Sequence, residues 1–388
     1  RLRAARAVAE RESAARLPGL EAFAAGEASR SDAADSEQLR LGLTSAYEVD
    51  LWGRINSAVE AEEYRAQASL ADYQTAALSL SAEVVRTFFQ LKAEAARKNV
   101  LEAQVRANRK VLRLLEKRFA TGLTRSVDIL RQRQLVEATR EQVHAAAARI
   151  RVLKHQLAVL LGEAPQKAAT ENALAPGYAP LPELPPLPQT GLPSTLLRRR
   201  PDVKRAYKRL QAADREVAAA ISSRYPRLNL SAALTSTTQG AGTLFEDWAR
   251  SFSGDLAAPL FDAGRRAAEV ERSEAVRNQR LYAYGQRILT AFREVEDALV
   301  QEEKQRRQLE SLDRQLRLAQ KSYAQLRIAY INGAGSFIDV LTALTEMQQL
   351  RRDRISARLA LIEYRIALYR ALAGGFAAKR QKTDNRTG

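Results

Sequence analysis

Side chains able to do chemistry are scarce in this sequence. There is no cysteine, so neither a disulfide framework nor a thiolate metal site can be built. The two histidines, His144 and His155, stand about three helical turns apart with no serine or aspartate constellation around them. HExxH, phosphate-loop and GxSxG patterns are missing, and Met347 is the only methionine, so no Met/His metal cluster forms. Glu294, Glu296 and Asp297 sit in a heptad-patterned stretch and read as solvated or lumen-facing. No catalytic residue, metal site or cofactor is expected, and the chain is not read as an enzyme.

What stands out instead are two helix interruptions. RFATGLTRSVDIL runs from Arg118 to Leu130, and AYINGAGSFIDVL from Ala329 to Leu341. They align without a gap, Gly122 with Gly333, Val127 with Ile338 and Asp128 with Asp339. Glycine permits the positive φ that ends a helix, and Ser or Thr caps the next one; Ser336 is followed at the third position by Asp339. This is the chemistry of a turn. Capping alone accounts for the Gly and Ser, but not for Leu123 and Phe337 at an exposed tip.

The elements that position these turns repeat. The offset of 211 between the glycines also joins Gly53-Arg54 to Gly264-Arg265 and Glu83-Val84 to Glu294-Val295. The chain is therefore two copies of one unit. The first repeat is placed at 1–161, a Pro-rich linker at 162–193, the second repeat at 194–374 and a basic tail, expected to be disordered, at 375–388. Leu309, Leu312, Leu316, Ala319, Tyr323, Leu326 and Tyr330 step by three and four, as do Ile355, Leu359, Ile362, Ile366 and Tyr369. That period predicts helices packed along their length. From Ile55 to Phe119 is about 100 Å of helix, while the return, Thr124 to Leu161, covers about 57 Å. The helix Ser194 to Arg224 adds about 46 Å, so the two shorter helices together match the long one.

Before each long helix the period changes to two. Leu39, Leu41, Leu43, Ser45, Tyr47 and Val49 alternate with polar or small residues, as do Leu228, Leu230, Ala232 and Leu234. Phe252, Leu256, Ala258 and Leu260 share one phase, and Leu20 to Ala24 is the weakest of the four segments. Each is expected to run for about 9–11 residues, enough to cross a bilayer as a tilted strand. Phe245 and Trp248 stand where interfacial aromatics would. Two hairpins cannot close a barrel, and open edges are not tolerated in lipid, so several chains would have to share one. Four strands and four helical columns from each of three chains make twelve of each.

The formal charge is +17, with ten Lys/Arg against three Asp/Glu between Leu197 and Arg227. No nucleic-acid-binding motif accompanies it, so a solvated basic face is the expectation. No apolar run approaches a membrane helix, and Arg1 opens inside a helical pattern, as in a chain lacking its N-terminal part.

YEVDLWGR (Tyr47–Arg54), LLRRRPDVKRAYKRLQAADREVAAAISSRYPRLNLSA (Leu196–Ala232), PLFDAGRR (Pro259–Arg266), FREVEDAL (Phe292–Leu299) and LYRALAGGF (Leu368–Phe376) resemble, in order and over almost the whole chain, the TolC/OprM family. These are outer-membrane channels of tripartite efflux pumps. The Arg-Arg-Pro-Asp element and the Gly-Gly ending resemble the lipoprotein branch that works with RND transporters. Tyr207-Lys208 departs from that branch's pattern, and the acylated cysteine is absent.

The resemblance implies a mainly α fold with a small β part: a homotrimer with a shared twelve-stranded outer-membrane barrel above a twelve-helix periplasmic tunnel. The implied partners are a periplasmic adaptor, an inner-membrane RND transporter and outer-membrane lipid. It places adaptor docking at Gly122, Leu123, Thr124, Ser126, Gly333, Ala334, Gly335 and Ser336. It places a constriction at Ile338 and Asp339, with Thr342 and Thr345 where relatives carry an acid and an arginine that lock the gate. Asp339 could instead serve only as a helix cap. The alternative reading is a soluble coiled-coil scaffold or a periplasmic adaptor, but an adaptor would need Gly- and Val-rich lipoyl and barrel domains, which this chain lacks.

Overall fold

The structure, a computed structural model, describes residues 1–30, 35–165, 181–188, 198–239 and 241–372. The basic tail, the Gly-Gly ending and most of the Pro-rich linker lie outside the described residues. The elements are α1 (Leu2–Ser13), β1 (Gly19–Arg30), β2 (Asp35–Val49), α2 (Arg54–Ala120), α3 (Ser126–Leu160), α4 (Pro201–Ser222), β3 (Arg227–Thr238), β4 (Ala249–Ala257), α5 (Arg265–Ile331) and α6 (Phe337–Leu372). The fold is mainly helical with one small sheet. No described helix is long and apolar enough to cross a membrane. Two compact units result, Arg1–Thr75 with Leu197–Thr290, and Ala76–Leu196 with Ala291–Gly388; each draws on both halves of the sequence.

The first unit holds the sheet, antiparallel in the order β1-β2-β3-β4. Register follows the alternation: Leu41 faces Ala24 and Ser236, Leu43 faces Ala22 and Leu234, and Leu228 faces Leu256. Gly42 is required by close approach. A Cβ there would meet the Leu234 carbonyl oxygen at 2.6 Å and the Phe23 ring at 2.9 Å. The strands run to 12, 15, 12 and 9 residues, so three exceed the expected length. β4 ends at Ala257, leaving Ala258 and Leu260 beyond it, because the chain must turn there to enter α5.

The strand-to-helix junctions explain two of the quoted motifs. In YEVDLWGR, Arg54 donates to Glu48 at 3.0 and 2.7 Å. Asp50 accepts from the Ile55 and Asn56 amides at 3.0 and 2.8 Å, capping the start of α2, and Gly53 turns at φ 71°. Trp52 stacks on Tyr225 at 5.0 Å and donates to the Pro226 carbonyl at 2.8 Å, tying the β2–α2 junction to the α4–β3 junction.

The Arg-Arg-Pro-Asp element locks the start of α4. Buried Asp202 accepts from Arg200 at 3.1 and 2.7 Å, from its neighbour's amide at 2.9 Å and from Arg287 of α5. Burial pushes its carboxyl upward, but the Arg200 and Arg287 hydrogen bonds outweigh that and hold it at about 2. Along α4, Val203, Ala213, Val217 and Ala220 are buried, while Arg205 and Arg209 reach Asp72 at 2.5 and 3.2 Å and Arg215 reaches Glu60 at 3.0 Å. The densest basic patch is thus partly consumed by ion pairs to α2.

In the second unit α2, α3, α5 and α6 pack side by side. The burial of Thr87, Leu91, Leu101, Val105, Asn108 and Leu115 on α2 keeps the seven-residue period. Lys98 and Phe119, which fall on the same seven-residue spacing as Leu91 and Val105, are not buried. Leu181 and Leu184 of the Pro-rich segment pack against Ala93 and Ile362. Arg365 fixes that segment: its guanidinium donates to Glu302 at 2.8 and 2.6 Å and to the Pro185 and Pro186 carbonyls at 2.8 and 3.2 Å. Both charged side chains are about 1% exposed. The Glu302 hydrogen bond raises the Arg365 pKa against the opposing effect of burial.

Candidate functional site

The two glycine turns are built alike. Gly122 and Gly333 have φ of 74° and 79°, and open space surrounds the position of an added Cβ at each. The Gly122 and Leu123 amides donate to Phe119 and Arg118 at 2.9 and 2.8 Å; the Gly333 and Ala334 amides donate to Tyr330 and Ala329 at 3.1 and 2.9 Å. This pattern satisfies the last carbonyls of α2 and α5 and needs the left-handed residue that only glycine supplies cheaply.

Beyond the turns the copies diverge. Ser336 accepts from the Ile338 amide at 3.3 Å and caps α6 as its sequence suggests. Thr124 and Ser126 do not cap α3. Its cap position is Arg125, which makes no side-chain cap bond. The Thr124 hydroxyl is engaged instead with the Tyr330 hydroxyl at 2.7 Å. Arg118 stacks over the Tyr330 ring at 5.1 Å and donates to the Ile331 carbonyl at 3.4 Å. The first tip is therefore pinned to the second through Tyr330. Sequence reading missed this: a tyrosine in a heptad position reads as core, and its hydroxyl partner lies 206 residues away.

Phe337 also differs from expectation. It is not an exposed tip residue; it is 3% exposed and packs with Leu115, Ile129, Val340 and Tyr330. Leu123 is exposed, at 64%. Filling the core with Phe337, where the first copy has exposed Ser126, rotates the two return helices differently. Asp128 is consequently buried and Asp339, its repeat equivalent, is exposed.

Ile338, Asp339, Thr342 and Thr345 all come to the exposed side of α6. Ile338, Thr342 and Thr345 follow the i, i+4, i+7 spacing of one helical face. The Thr342 hydroxyl donates to the Ile338 carbonyl at 2.9 Å, and Thr345 donates to the Leu341 carbonyl. With their hydroxyl protons turned back onto the helix, the two threonines offer this face mainly methyl groups and lone pairs.

Behind that face lies a buried polar layer. Gln348 donates to Asn108 at 2.7 Å, Asn108 to Thr139 at 3.2 Å, and Gln132 to the Asn108 carbonyl at 2.9 Å. Arg352 donates to Gln104 at 2.7 Å. Burial, with the nearby Arg97 charge, pushes the Arg352 pKa down. Such a layer specifies the register of α2, α3 and α6 more than it adds stability. No group of acidic or histidine side chains among the described residues could hold a metal ion.

Comparison with known proteins closes the question of kinship. The outer membrane efflux protein family matches residues 1–163 and 192–374. The pyoverdine export outer membrane protein OpmQ of Pseudomonas aeruginosa is 32% identical over 355 residues, 91% of this chain and 73% of that protein. Outer membrane protein OprJ of the same organism is 31% identical over 410 residues, 100% of this chain and 82% of that protein. Among solved structures, the outer-membrane channel OprN superposes with a TM-score of 0.90 at 29% identity, covering 96% of this chain and 85% of that one. Matched by that family's model over both repeats, the chain belongs to the outer membrane efflux protein family.

Proposed function

We propose that three copies of this chain assemble into a closed duct that carries efflux substrates out through the outer membrane. The chain is an outer-membrane efflux component, a transport duct and not an enzyme, like the family to which it belongs. Relatives named as outer membrane proteins of solvent and toluene efflux pumps support an adaptor and an inner-membrane transporter as its partners. The scaffold and adaptor readings fall with the family assignment.

The observation that carries the trimer is the sheet. Its order leaves β1 and β4 each with one partner strand among the described residues. Leu39, Leu41, Leu43, Leu228, Leu230 and Leu234 share one face. An apolar face with two open edges is untenable in lipid until neighbours pair with both edges. Three four-stranded sheets close a twelve-stranded barrel, and the helical columns follow as a periplasmic tunnel.

In this reading the glycine turns form the periplasmic tip. Gly122, Leu123, Thr124, Ser126, Gly333, Ala334, Gly335 and Ser336 meet the adaptor. Three copies of Ile338 and Asp339 ring the axis as the constriction, with Thr342 and Thr345 lining it above. The Thr124–Tyr330 bond holds the two tips together in the closed state, in place of an acid–arginine lock. Single-channel conductance of the protein in lipid, with the mass of the detergent-solubilised particle, tests this. A trimer with small, rarely open conductance agrees; a monomer with no conductance refutes it.

A further inference from the structure

Tyr207 and Lys208, the pair that departs from the family pattern, have no part in the duct reading. Both lie on α4, which is flanked on each side by its own chain. Arg205 and Arg209 pair with Asp72 of α2, and Asp202 accepts from Arg287 of α5. Tyr207 is 45% exposed, and its ring lies 5.5 Å from that of Tyr284 on α5. Lys208 turns toward α2, its ammonium 4.9 Å from the centre of the Tyr64 ring.

Tyr64 and Tyr207 wall a cleft of about 370 Å³ between α2, α4 and α5. That volume suits a small molecule. The α4 wall is Tyr207, Leu210, Gln211 and Asp214, the i, i+3, i+4, i+7 spacing of one helical face. Over about 10 Å it passes from an aromatic ring through an apolar side chain to a carboxylate. The contacts Asp202–Arg287 and Tyr207–Tyr284 show that α5 runs the opposite way. Arg277 therefore falls level with Asp214, and Leu281 lies nearer the rings. Both belong to the lining.

Asp214 and Arg277 share one end of the cleft without meeting. Neither forms an ion pair with a described residue, and Arg277 donates to the Asn278 side chain at 3.3 Å. Arg215 beside them is already paired with Glu60 at 3.0 Å. Gln211 carries a side-chain oxygen that is shielded from solvent and has no hydrogen-bond partner.

We propose that this cleft binds a zwitterionic aromatic molecule. Its ring lies against Tyr207, Leu210 and Leu281, its ammonium on Asp214 and its carboxylate on Arg277. Charge-assisted bonds to both ends of a zwitterion fix its direction, and a ring N–H satisfies Gln211. Tyr207 supplies the ring contact. A second copy of this chain is a poor occupant, because in the proposed assembly copies join at β1 and β4, while α4 is enclosed by its own α2 and α5. The site does not depend on conduction.

Equilibrium dialysis against the detergent-solubilised full chain tests the proposal with three tritiated indoles: tryptophan, tryptamine and 3-indolepropionate. They share a ring and differ in charge. Tryptophan is expected to bind saturably, one per chain, and at least fivefold tighter than either of the others. Leucine, a zwitterion without a ring, should displace it poorly. Tyr207→Ala should weaken tryptophan at least fivefold. Asp214→Asn should make 3-indolepropionate the tightest of the three, and Arg277→Gln should do the same for tryptamine. Each inversion is a change of preference that neither an unfolded variant nor partition into detergent can give. Absent saturable binding, equal binding of the three indoles, displacement by leucine as good as by tryptophan, or an unchanged order in either charge variant would overturn the proposal. A conducting trimer that binds no indole refutes only this inference.

Discussion

Arg365→Met is the most informative single perturbation, because it removes one half of a fully buried ion pair. In the native structure the Arg365 guanidinium satisfies both Glu302 oxygens and the carbonyls of Pro185 and Pro186. After the change Glu302, about 1% exposed, keeps only the 3.2 Å contact from Arg306, itself half in solvent. Leaving a buried charge nearly unpaired costs about 3–5 kcal/mol. For a unit near two hundred residues that lowers the melting midpoint by roughly 6–20 °C, at about 2–4 °C per kcal/mol. Glu302→Gln should cost a similar amount. The double variant Glu302→Leu, Arg365→Met removes both charges and both desolvation penalties, so it should cost far less than the sum. Circular dichroism at 222 nm follows the helices directly. Trp52 and Trp248 fluorescence would not serve, since both lie in the other unit. The strap gives a second readout: Arg365→Met no longer donates to its two proline carbonyls, so protease should cut the segment around Pro185 faster. Additive single and double costs, or a midpoint within about 1 °C of wild type with an unchanged cleavage rate, would refute the reasoning, since even 1 kcal/mol moves such a unit by about 2–4 °C.

Other consequences are equally direct. Asp202 sits at about 2 in the folded chain against an ordinary 3.8, so its depressed carboxyl contributes about 2 kcal/mol above pH 4. That contribution is lost as pH falls through about 2; Asp202→Asn should flatten the acid limb of a melting-midpoint profile, and an unchanged limb counts against the Arg200–Asp202–Arg287 lock. Tyr330→Phe removes only the hydroxyl that meets Thr124, so the ring packing survives while channel opening in planar bilayers should become more frequent; an unaltered open probability argues that the bond is no latch. Replacing Ile338 and Asp339 together by Ala should raise single-channel conductance, and no rise would remove them from the constriction. Gly333→Ala meets no steric neighbour, so its cost should be the backbone term alone, about 1–2 kcal/mol, read as a lower midpoint without loss of assembly.

Local chemistry made much of the molecule legible in one dimension. The shared offset of Gly53, Gly122, Gly264 and Gly333 is written in the sequence because a left-handed backbone residue admits few substitutes. Long helices and strands show through periods of three-and-a-half and two, which arise from which side of each element meets apolar neighbours. What stayed hidden depends on distance along the chain. Glu302 and Arg365 look like two more charges on heptad helices until packing places them together under Pro185 and Pro186. Arg200 reads as one more cation of the basic stretch Leu197–Arg227 until Asp202 gathers it together with Arg287, distant in sequence on α5. The tip motifs marked the turn, but not that Phe337 would turn inward and Ser126 outward.

The sequence by itself determined the repeat, the element types, the turn positions and the kinship, because each follows from neighbours within a few residues or from order along the chain. Only the tertiary structure decided which equivalent side chains part ways: Asp128 buried and Asp339 exposed, Thr124 joined to Tyr330 rather than capping α3. The reason is rotational. A helix turns 100° per residue. The choice of which apolar residue fills the core sets that rotation, and packing makes the choice among segments that the chain brings together from far apart.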